Sequence, residues 1–199
     1  MKILLLDNYD SFTYNLKSLL ETSVDNAEVK VRRNRDKQIF NENFDMLVIS
    51  PGPMTWKETG ILKELFEKKI IPEKIPVLGI CLGMQFVAGY YGYEVGMISN
   101  PVHGYQAEIE HIDDPLFKNI PANFLVARYN SLGLASFGKE QEKDGPLEFI
   151  AFEKDSGSVM ALRHKTLPFA GFQFHPESFL TEYGAQLIKN FMELYVENK

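Results

Sequence analysis

The chain has 199 residues, of which 45% are hydrophobic and 24% charged; this size and balance exclude a disordered chain and favour one buried domain over residues 1–199. Its formal net charge of −6 argues against nucleic acid as a main partner, because phosphate binding requires a basic surface. A single cysteine excludes an intramolecular disulfide bond and a cysteine-rich metal site.

The N-terminal segment predicts a buried strand. Residues 2–6 (KILLL) form a continuous apolar run, which is typical of a strand covered on both faces. The run is too short for the core of a signal peptide, and no segment approaches the roughly 20 apolar residues that a membrane-spanning helix needs. We therefore expect a cytoplasmic protein with no membrane partner.

The rest of the first half alternates between helix and strand patterns. Alternating apolar and charged residues predict a strand over 28–32, and apolar runs predict strands over 46–49 and 76–80. Apolar residues at helical spacing predict helices over 13–21, about 59–69 and 83–91. Strands that alternate with helices indicate βαβ units and a mainly parallel sheet.

The second half is dominated by strand patterns. Strand-like runs occupy residues 107–112, 124–128, 147–152, 158–163 and 169–174, with Gly, Pro or charged residues between them. A final amphipathic helix is predicted over about 179–197, where Leu187, Ile188 and Phe191 fall on one stripe. The chain is therefore placed in the α/β class, with a mainly parallel central sheet flanked by helices.

Cys81 lies at the end of a predicted strand, between Gly79 and Gly83. This spacing is that of a nucleophile elbow, in which the chain turns sharply from strand to helix and leaves the nucleophile at an exposed tip. The helix that follows would favour the thiolate, and the N–H of Leu82 would face a developing oxyanion. A lone cysteine is more often a small buried hydrophobic residue, but the strand–glycine–cysteine–glycine–helix context favours the nucleophile.

A cysteine nucleophile needs a base, and His175 is the best-placed of the four histidines. It follows an apolar strand and precedes Pro176, which favours an extended conformation for His175. In extended chain His175 and Glu177 project to the same side, so Glu177 can orient the imidazole as the acid does in a catalytic triad. The alternative is a surface turn with an incidental charge pair. For His111 and His164, solvated positions are expected.

Several motifs together resemble class I (triad) glutamine amidotransferases. More narrowly, the chain resembles the small subunit of anthranilate synthase and aminodeoxychorismate (para-aminobenzoate) synthase. The motifs that carry the resemblance are residues 6–16 (LDNYDSFTYNL), 50–53 (SPGP), 79–85 (GICLGMQ), 103–104 (HG), 127–132 (ARYNSL) and 171–178 (GFQFHPES). The first of these is specific to the chorismate-using branch, whereas the cysteine and histidine motifs are shared by the whole class.

The resemblance implies the flavodoxin-like fold of the class, with a smaller antiparallel sheet beside the central one. It also implies a glutaminase in which Cys81 attacks the carboxamide of L-glutamine, giving a γ-glutamyl thioester and ammonia. His175 would be the acid and base, and Glu177 its orienting partner. The amides of Gly52 and Leu82 would form the oxyanion hole.

Further implications concern the substrate and the partner. Gly52, Met54, Gln85, Ser131 and Leu132 occupy the positions that bind glutamine in the family. Ammonia would pass to a chorismate-binding synthase subunit, component I, for anthranilate or 4-amino-4-deoxychorismate synthesis. This subunit would need no metal or other cofactor, since the family's Mg²⁺ lies with chorismate on the partner. The chain also lacks the glycine-rich nucleotide motifs, so we expect no ATP activation.

Four positions depart from the family pattern. Met54 and Trp56 replace a small residue and a proline after the SPGP motif, and strain of about 1–3 kcal/mol would follow if Met54 had a positive φ. Tyr105 and Asn130 replace a lysine and a histidine, which removes potential positive charges. We expect altered synthase contacts or slower glutamine turnover, and not a loss of the chemistry.

Two other functions remain open at this point. A stand-alone cysteine hydrolase of γ-glutamyl compounds would use the same triad without a partner. A non-catalytic scaffold or regulatory relative is suggested by Met54, Tyr105 and Asn130.

Overall fold

The computed structural model describes residues 1–98, 101, 104–134 and 145–197. Its strands are β1 (Lys2–Asp7), β2 (Glu28–Arg33), β3 (Met46–Ile49), β4 (Val77–Ile80), β5 (Val95–Met97), β6 (Tyr105–His111), β7 (Asn123–Arg128), β8 (Leu132–Leu134), β9 (Leu147–Glu153), β10 (Val159–His164) and β11 (Phe169–Phe172). Within the described residues, nine of them form one sheet in the order β2-β1-β3-β4-β11-β10-β9-β6-β7, and β5 pairs with β8.

One half of the large sheet is parallel. Strands β2, β1, β3, β4 and β11 run in the same direction. Strand β1 shows why the inner strands are apolar throughout, since Ile3 and Leu5 enter the core on one face while Leu4 and Leu6 enter the core on the other. The continuous apolar run therefore predicted its burial correctly.

The other half of the sheet is antiparallel. Strands β10, β9, β6 and β7 continue from β11 with each neighbour reversed. They correspond to the strand patterns of the second half of the sequence, and they extend the central sheet instead of forming one of their own. The two-stranded β5–β8 sheet is separate and antiparallel. The expected α/β architecture, with its smaller antiparallel sheet, is confirmed.

The helices lie on both faces of the sheet. Helices α1 (Thr13–Ser23) and α5 (Gly184–Met192) contribute Leu16, Leu20, Leu187 and Phe191 to one core. Helices α2 (Leu62–Leu65), α3 (Ile71–Glu73) and α4 (Leu82–Tyr90) lie against the opposite core. Among the described residues, no helix is both long and apolar enough to cross a membrane.

Two helix predictions had the wrong bounds. The helix predicted over about 59–69 lies instead over residues 62–73, as α2, a π-helical turn at Phe66–Ile70 and α3 in direct succession. A separate 3₁₀ turn at Trp56–Glu58 precedes it. The helix predicted from about residue 179 begins only at Gly184.

A long-range contact explains the late start of α5. A Cβ atom on Gly184 would lie 2.1 Å from the carbonyl oxygen of Pro176, so the chain must fold back against the Pro176 peptide before the helix can begin. Tyr183 precedes the helix with a φ of 58°, in the left-handed region. The segment from Pro176 to Tyr183 lies along β7, where the Glu182 N–H donates to the Leu125 carbonyl oxygen and the Ala127 N–H donates to Thr181 Oγ1, both at 2.9 Å.

The position of β4 and β11 matters most for the site. These two parallel strands are neighbours, and Ile80 is paired with Phe172. The chain leaves both strands at the same edge of the sheet, where Cys81 follows β4 and Gln173 follows β11. In open α/β sheets, ligands bind at this carboxyl edge.

Candidate active site

Cys81 lies at a sharp turn between β4 and α4. Its φ of 52° and ψ of −101° are unusual for a residue with a side chain, and such backbone strain is typical of a nucleophile elbow. The Cys81 N–H donates to the Phe172 carbonyl oxygen at 2.7 Å, which ties the turn to β11. Cys81 is only 8% exposed, so the prediction of an exposed tip was wrong, because Gln173 packs against the sulfur.

The two glycines around Cys81 allow the helix to pack on the sheet. A Cβ on Gly79 would lie 2.5 Å from the Gly83 carbonyl, and a Cβ on Gly83 would lie 2.5 Å from the Ile49 carbonyl oxygen. Neither glycine has a positive φ. Their role is thus to remove Cβ clashes, while Cys81 itself adopts the strained conformation.

His175 and Glu177 form a buried pair beside the elbow. Glu177 Oε1 lies 2.6 Å from His175 Nδ1, and the two side chains are 4% and 0% exposed. The pair forms in a turn at Pro176 and Glu177, where the Ser178 N–H donates to the His175 carbonyl oxygen at 3.2 Å. The extended conformation predicted for this segment was therefore wrong, although the two side chains do meet. Nε2, the other ring nitrogen, is buried and has no hydrogen bond of regular geometry to any described residue.

Cys81 and Glu177 control the charge of His175. Burial opposes the imidazolium, but Cys81 and Glu177 outweigh it through hydrogen bonding and charge, and they raise the pKa of His175 to about 10. Because Nδ1 is bonded to Glu177, the side of the ring with Nε2 remains for Cys81. At neutral pH, His175 is thus a cation held between the sulfur and the carboxylate.

The positions expected to form an oxyanion hole are in contact. A Cβ on Gly52 would lie 3.0 Å from a methyl carbon of Leu82 and 2.6 Å from the Asn8 carbonyl oxygen, so only glycine allows this approach. Leu82 is the first residue of α4, and its N–H has no acceptor within the helix. Two backbone segments thus meet next to Cys81.

The positions expected to bind substrate are only partly brought together. Gln85 is buried, and its Nε2 donates to the Leu132 carbonyl oxygen at 2.7 Å. Ser131 is joined to residue 98, since its carbonyl oxygen accepts from the Ile98 N–H at 3.1 Å. Met54 is half-buried and has no positive φ, so the strain considered for it does not arise.

The comparisons with known proteins cover almost the whole chain. The family model for "Glutamine amidotransferase class-I" matches residues 4–194. The chain belongs to the class I glutamine amidotransferase family. It is 38% identical to the aminodeoxychorismate/anthranilate synthase component 2 of Bacillus subtilis, over 97% of this chain and 96% of that protein. It is 39% identical to the anthranilate synthase component 2 of Methanocaldococcus jannaschii, over 96% of each.

A solved structure has the same amidotransferase architecture. The chain resembles a GMP synthase subunit from Thermoplasma acidophilum with a TM-score of 0.81 and 25% sequence identity, over 97% of this chain and 92% of that one. The α/β fold predicted from the resemblance is therefore the fold of the family.

Two aromatic residues beside His175 were not predicted. The ring centroid of Tyr129 lies 4.9 Å from that of His175, and the centroid of Phe12 lies 6.2 Å from it, both edge-on. Burial raises the pKa of Asp10 in the same loop, although the Phe12 N–H and the charge of His175 oppose the shift. The LDNYDSFTYNL motif of this amidotransferase therefore forms part of the wall around His175.

Gln173 was also missed as a site residue. Its Nε2 donates to Cys81 Sγ at 3.5 Å, and its Oε1 accepts from Gln85 Nε2 at 3.1 Å. A signal was present in the sequence, because Gln173 is two residues before His175 and extended chain places such residues on one side.

The four departures from the amidotransferase pattern have different positions. Asn130 is buried and bonded, with Oδ1 accepting from Arg128 Nε at 3.2 Å. Trp56 packs on α4, where a Cβ on Gly89 would lie 2.4 Å from its ring. Tyr105 is 73% exposed at the start of β6. His103, which precedes it in the same motif, lies outside the described residues.

The remaining histidines differ from the prediction. His111 is partly buried and stacks on Phe117, with ring centroids 4.2 Å apart. His164 is buried, and its Nδ1 accepts from the N–H groups of Thr166 and Leu167 at 3.1 and 3.0 Å. The expectation of solvated positions was wrong for His164, because a turn after β10 folds over its ring.

Proposed function

We propose that this chain is the glutaminase subunit, component 2, of a synthase that aminates chorismate. The observation that supports this most is the placement of Cys81 on a strained elbow beside the buried His175–Glu177 pair. The similar proteins supply the second support, since they are named as component 2 of anthranilate and aminodeoxychorismate synthases. On this proposal the substrate is L-glutamine, and the partner is a chorismate-binding component I.

In the first step, the Cys81 thiolate attacks the carboxamide carbon of glutamine. The carbonyl electrons move to oxygen, and the N–H groups of Gly52 and Leu82 stabilise the oxyanion. The imidazolium of His175 gives its proton to the departing nitrogen, so that ammonia leaves and a γ-glutamyl thioester remains. The pKa of about 10 keeps this proton available at neutral pH.

In the second step, water cleaves the thioester. The now neutral His175 takes a proton from water as the water oxygen attacks the thioester carbon, and this restores the imidazolium. Collapse of the second tetrahedral intermediate expels the Cys81 thiolate and releases glutamate, whose new γ-carboxyl group loses its proton to solvent. Glu177 keeps the Nδ1 side of the ring occupied throughout, so Nε2 always faces the sulfur.

The whole chain would act as one unit. We propose a single domain over residues 1–199, because one sheet runs through the described residues and helices cover it on both faces.

Ammonia would pass from this domain to the partner, where it adds to chorismate. Either product, anthranilate or 4-amino-4-deoxychorismate, is compatible with this chain, since the carbon chemistry takes place on component I.

The test uses the chain together with the synthase that co-purifies with it. With glutamine and chorismate present, glutamate should form, and product analysis will distinguish anthranilate from aminodeoxychorismate. Cys81→Ala and His175→Gln should each lower glutamate release at least about a hundredfold, in line with the loss of a nucleophile or an acid-base residue. His111→Gln is the matched control, because His111 lies outside the site, and it should keep full activity.

A second measurement separates chemistry from assembly. The complex containing Cys81→Ala should still aminate chorismate when ammonium is supplied, because ammonia no longer has to come from glutamine. Absence of glutamate release by the unaltered complex with chorismate present would refute the proposal. Strong glutaminase activity of the isolated chain, with no increase on adding the synthase, would instead indicate a stand-alone hydrolase.

A further inference from the structure

We infer that Gln173 is a positioning residue that holds the Cys81 sulfur and the Gln85 amide in a fixed relation, an inference that rests on the glutaminase function proposed above. Gln173 is fully buried and follows β11. Its two polar atoms face two different partners: Nε2 lies 3.5 Å from Cys81 Sγ, and Oε1 lies 3.1 Å from Gln85 Nε2. One side chain therefore joins the nucleophile to a substrate-binding position.

The backbone fixes which side Gln173 faces. Phe172 and Phe174 on either side of it are buried in the core beneath the sheet, with their rings 5.1 Å apart. Alternation then directs Gln173 to the opposite side, the side of His175. The Gln173 N–H donates to the Met160 carbonyl oxygen at 2.9 Å, which holds this residue against β10.

The direction of each hydrogen bond follows from groups that can act in only one way. The Leu132 carbonyl oxygen can only accept, so the Gln85 atom that lies 2.7 Å from it must be the Nε2 donor. The same Nε2 also faces Gln173, so the Gln173 atom there must be the Oε1 acceptor. The opposite end of the Gln173 amide is then Nε2, a donor aimed at the sulfur.

The chain of hydrogen bonds continues away from the site. Asn130 Nδ2 donates to the same Leu132 oxygen at 3.0 Å, and Asn130 Oδ1 accepts from Arg128 Nε, which can only donate. Arg128 is fully buried and paired with Glu153. A neutral asparagine, with one acceptor and one donor, thus fits the place where the family has histidine.

A donor at the sulfur has a direct chemical effect. An N–H aimed at Sγ stabilises the thiolate more than the thiol, and it fixes the direction from which the sulfur attacks. Gln85, in turn, keeps both Nε2 hydrogens on protein oxygens, so its Oε1 is the atom left to meet substrate. Gln173 consequently acts on nucleophilicity through one contact and on glutamine binding through the other.

Two substitutions separate these contacts. Gln173→Glu keeps an acceptor for Gln85 but offers no donor to the sulfur at neutral pH, so kcat should fall about tenfold with little change in KM, the size expected for a hydrogen bond to a charged group. Gln173→Met has similar length and neither donor nor acceptor, so kcat should fall and KM should rise severalfold.

The decisive measurement does not depend on glutaminase activity. Cys81 is the only cysteine, so the rate of alkylation by iodoacetamide, followed by mass spectrometry across pH, reports on this sulfur alone. Both variants should react about tenfold more slowly at pH 7, with the profile displaced to higher pH. Asn190→Met is the matched control: Asn190 is a buried amide that donates to the Leu116 and Lys118 carbonyls, away from the site. It should leave the profile unchanged.

The outcomes distinguish the inference from the proposed function. An unaltered alkylation profile in a folded Gln173→Glu or Gln173→Met protein would overturn the inference, even if glutaminase activity is found. A displaced profile in a chain that never releases glutamate would support the sulfur contact and reject the function. If neither variant folds, Gln85→Met supplies the test, because Gln173 then loses the donor that orients it and alkylation should again slow; an unchanged rate would contradict the inference.

Discussion

Replacing Cys81 by glycine should give a more stable protein than replacing it by alanine. Both changes remove the sulfur, but only glycine adopts a φ of 52° with a ψ of −101° without steric strain. This conformation lies outside the ordinary left-handed region, so its cost is expected near the upper end of the usual range, about 3 kcal/mol.

Two opposing contributions reduce the difference. The greater chain entropy of glycine favours the unfolded state by about 0.7 kcal/mol relative to alanine. Loss of the buried methyl group destabilises the folded state by about 0.8 kcal/mol. The net advantage of Cys81→Gly over Cys81→Ala is then about 1.5 kcal/mol. For a chain of this length it corresponds to a melting temperature about 3–6 °C higher.

The assay is urea denaturation and differential scanning calorimetry of the two variants. Ala88→Gly in α4 is the control, because Ala88 is buried in an ordinary helical conformation, and it should lose about 1.8 kcal/mol from helix propensity and burial. The reasoning is refuted if Cys81→Gly is no more stable than Cys81→Ala while Ala88→Gly shows its expected loss.

Two further predictions concern buried charges. Arg128→Met should lower the free energy of unfolding by about 3–5 kcal/mol, since Glu153 is left buried without its partner, and adding Glu153→Gln should recover part of that loss in urea denaturation. Because the pKa of His175 is raised to about 10, its charge contributes stability fully below about pH 6.5, and this contribution declines as pH rises toward 10. Glu177→Gln should flatten that decline in unfolding curves measured from pH 7 to 10. An equally steep decline in this variant would contradict the assigned cause.

The elements that the sequence predicted well are those whose pattern is decided by burial. Strands β1, β3 and β4 are covered on both faces, so their continuous apolar runs identify them directly. Strands β5 and β8 have three residues each and depend on pairing with one another, and neither was predicted. Three residues are too few to show the alternation of apolar and polar side chains that identifies a strand.

Helix ends depended on contacts that local sequence does not encode. The start of α5 is set by the approach of Gly184 to the Pro176 carbonyl, and the π-helical turn after α2 interrupts a regular helical pattern. The N-terminal bound of α4 was predicted within one residue, because the glycines flanking Cys81 mark the turn.

Part of the site followed from spacing, and part did not. Gly79, Cys81 and Gly83 predicted the elbow. The pairing of His175 with Glu177 was also predicted, but the structure forms it in a turn and not through alternation in extended chain. The spacing of Gln173 from His175 was a signal that it lies in the site, but its contacts with Cys81 and Gln85 could not be predicted, because they depend on how β4, β11 and α4 are arranged in the fold. The exposure of Cys81 was overestimated because the contact of Gln173 with the sulfur could not be predicted.

The pairing of β4 with β11 has a consequence for how the site is held together. Strand β4 leads into Cys81 and β11 into His175, and the strands are joined in register from Val77 with Phe169 to Ile80 with Phe172. The Cys81 and His175 side chains therefore cannot move apart as two lobes do around a hinge. Cys81 is 8% exposed on this fixed base, so the position of the sulfur relative to His175 is set by strand pairing before any ligand binds.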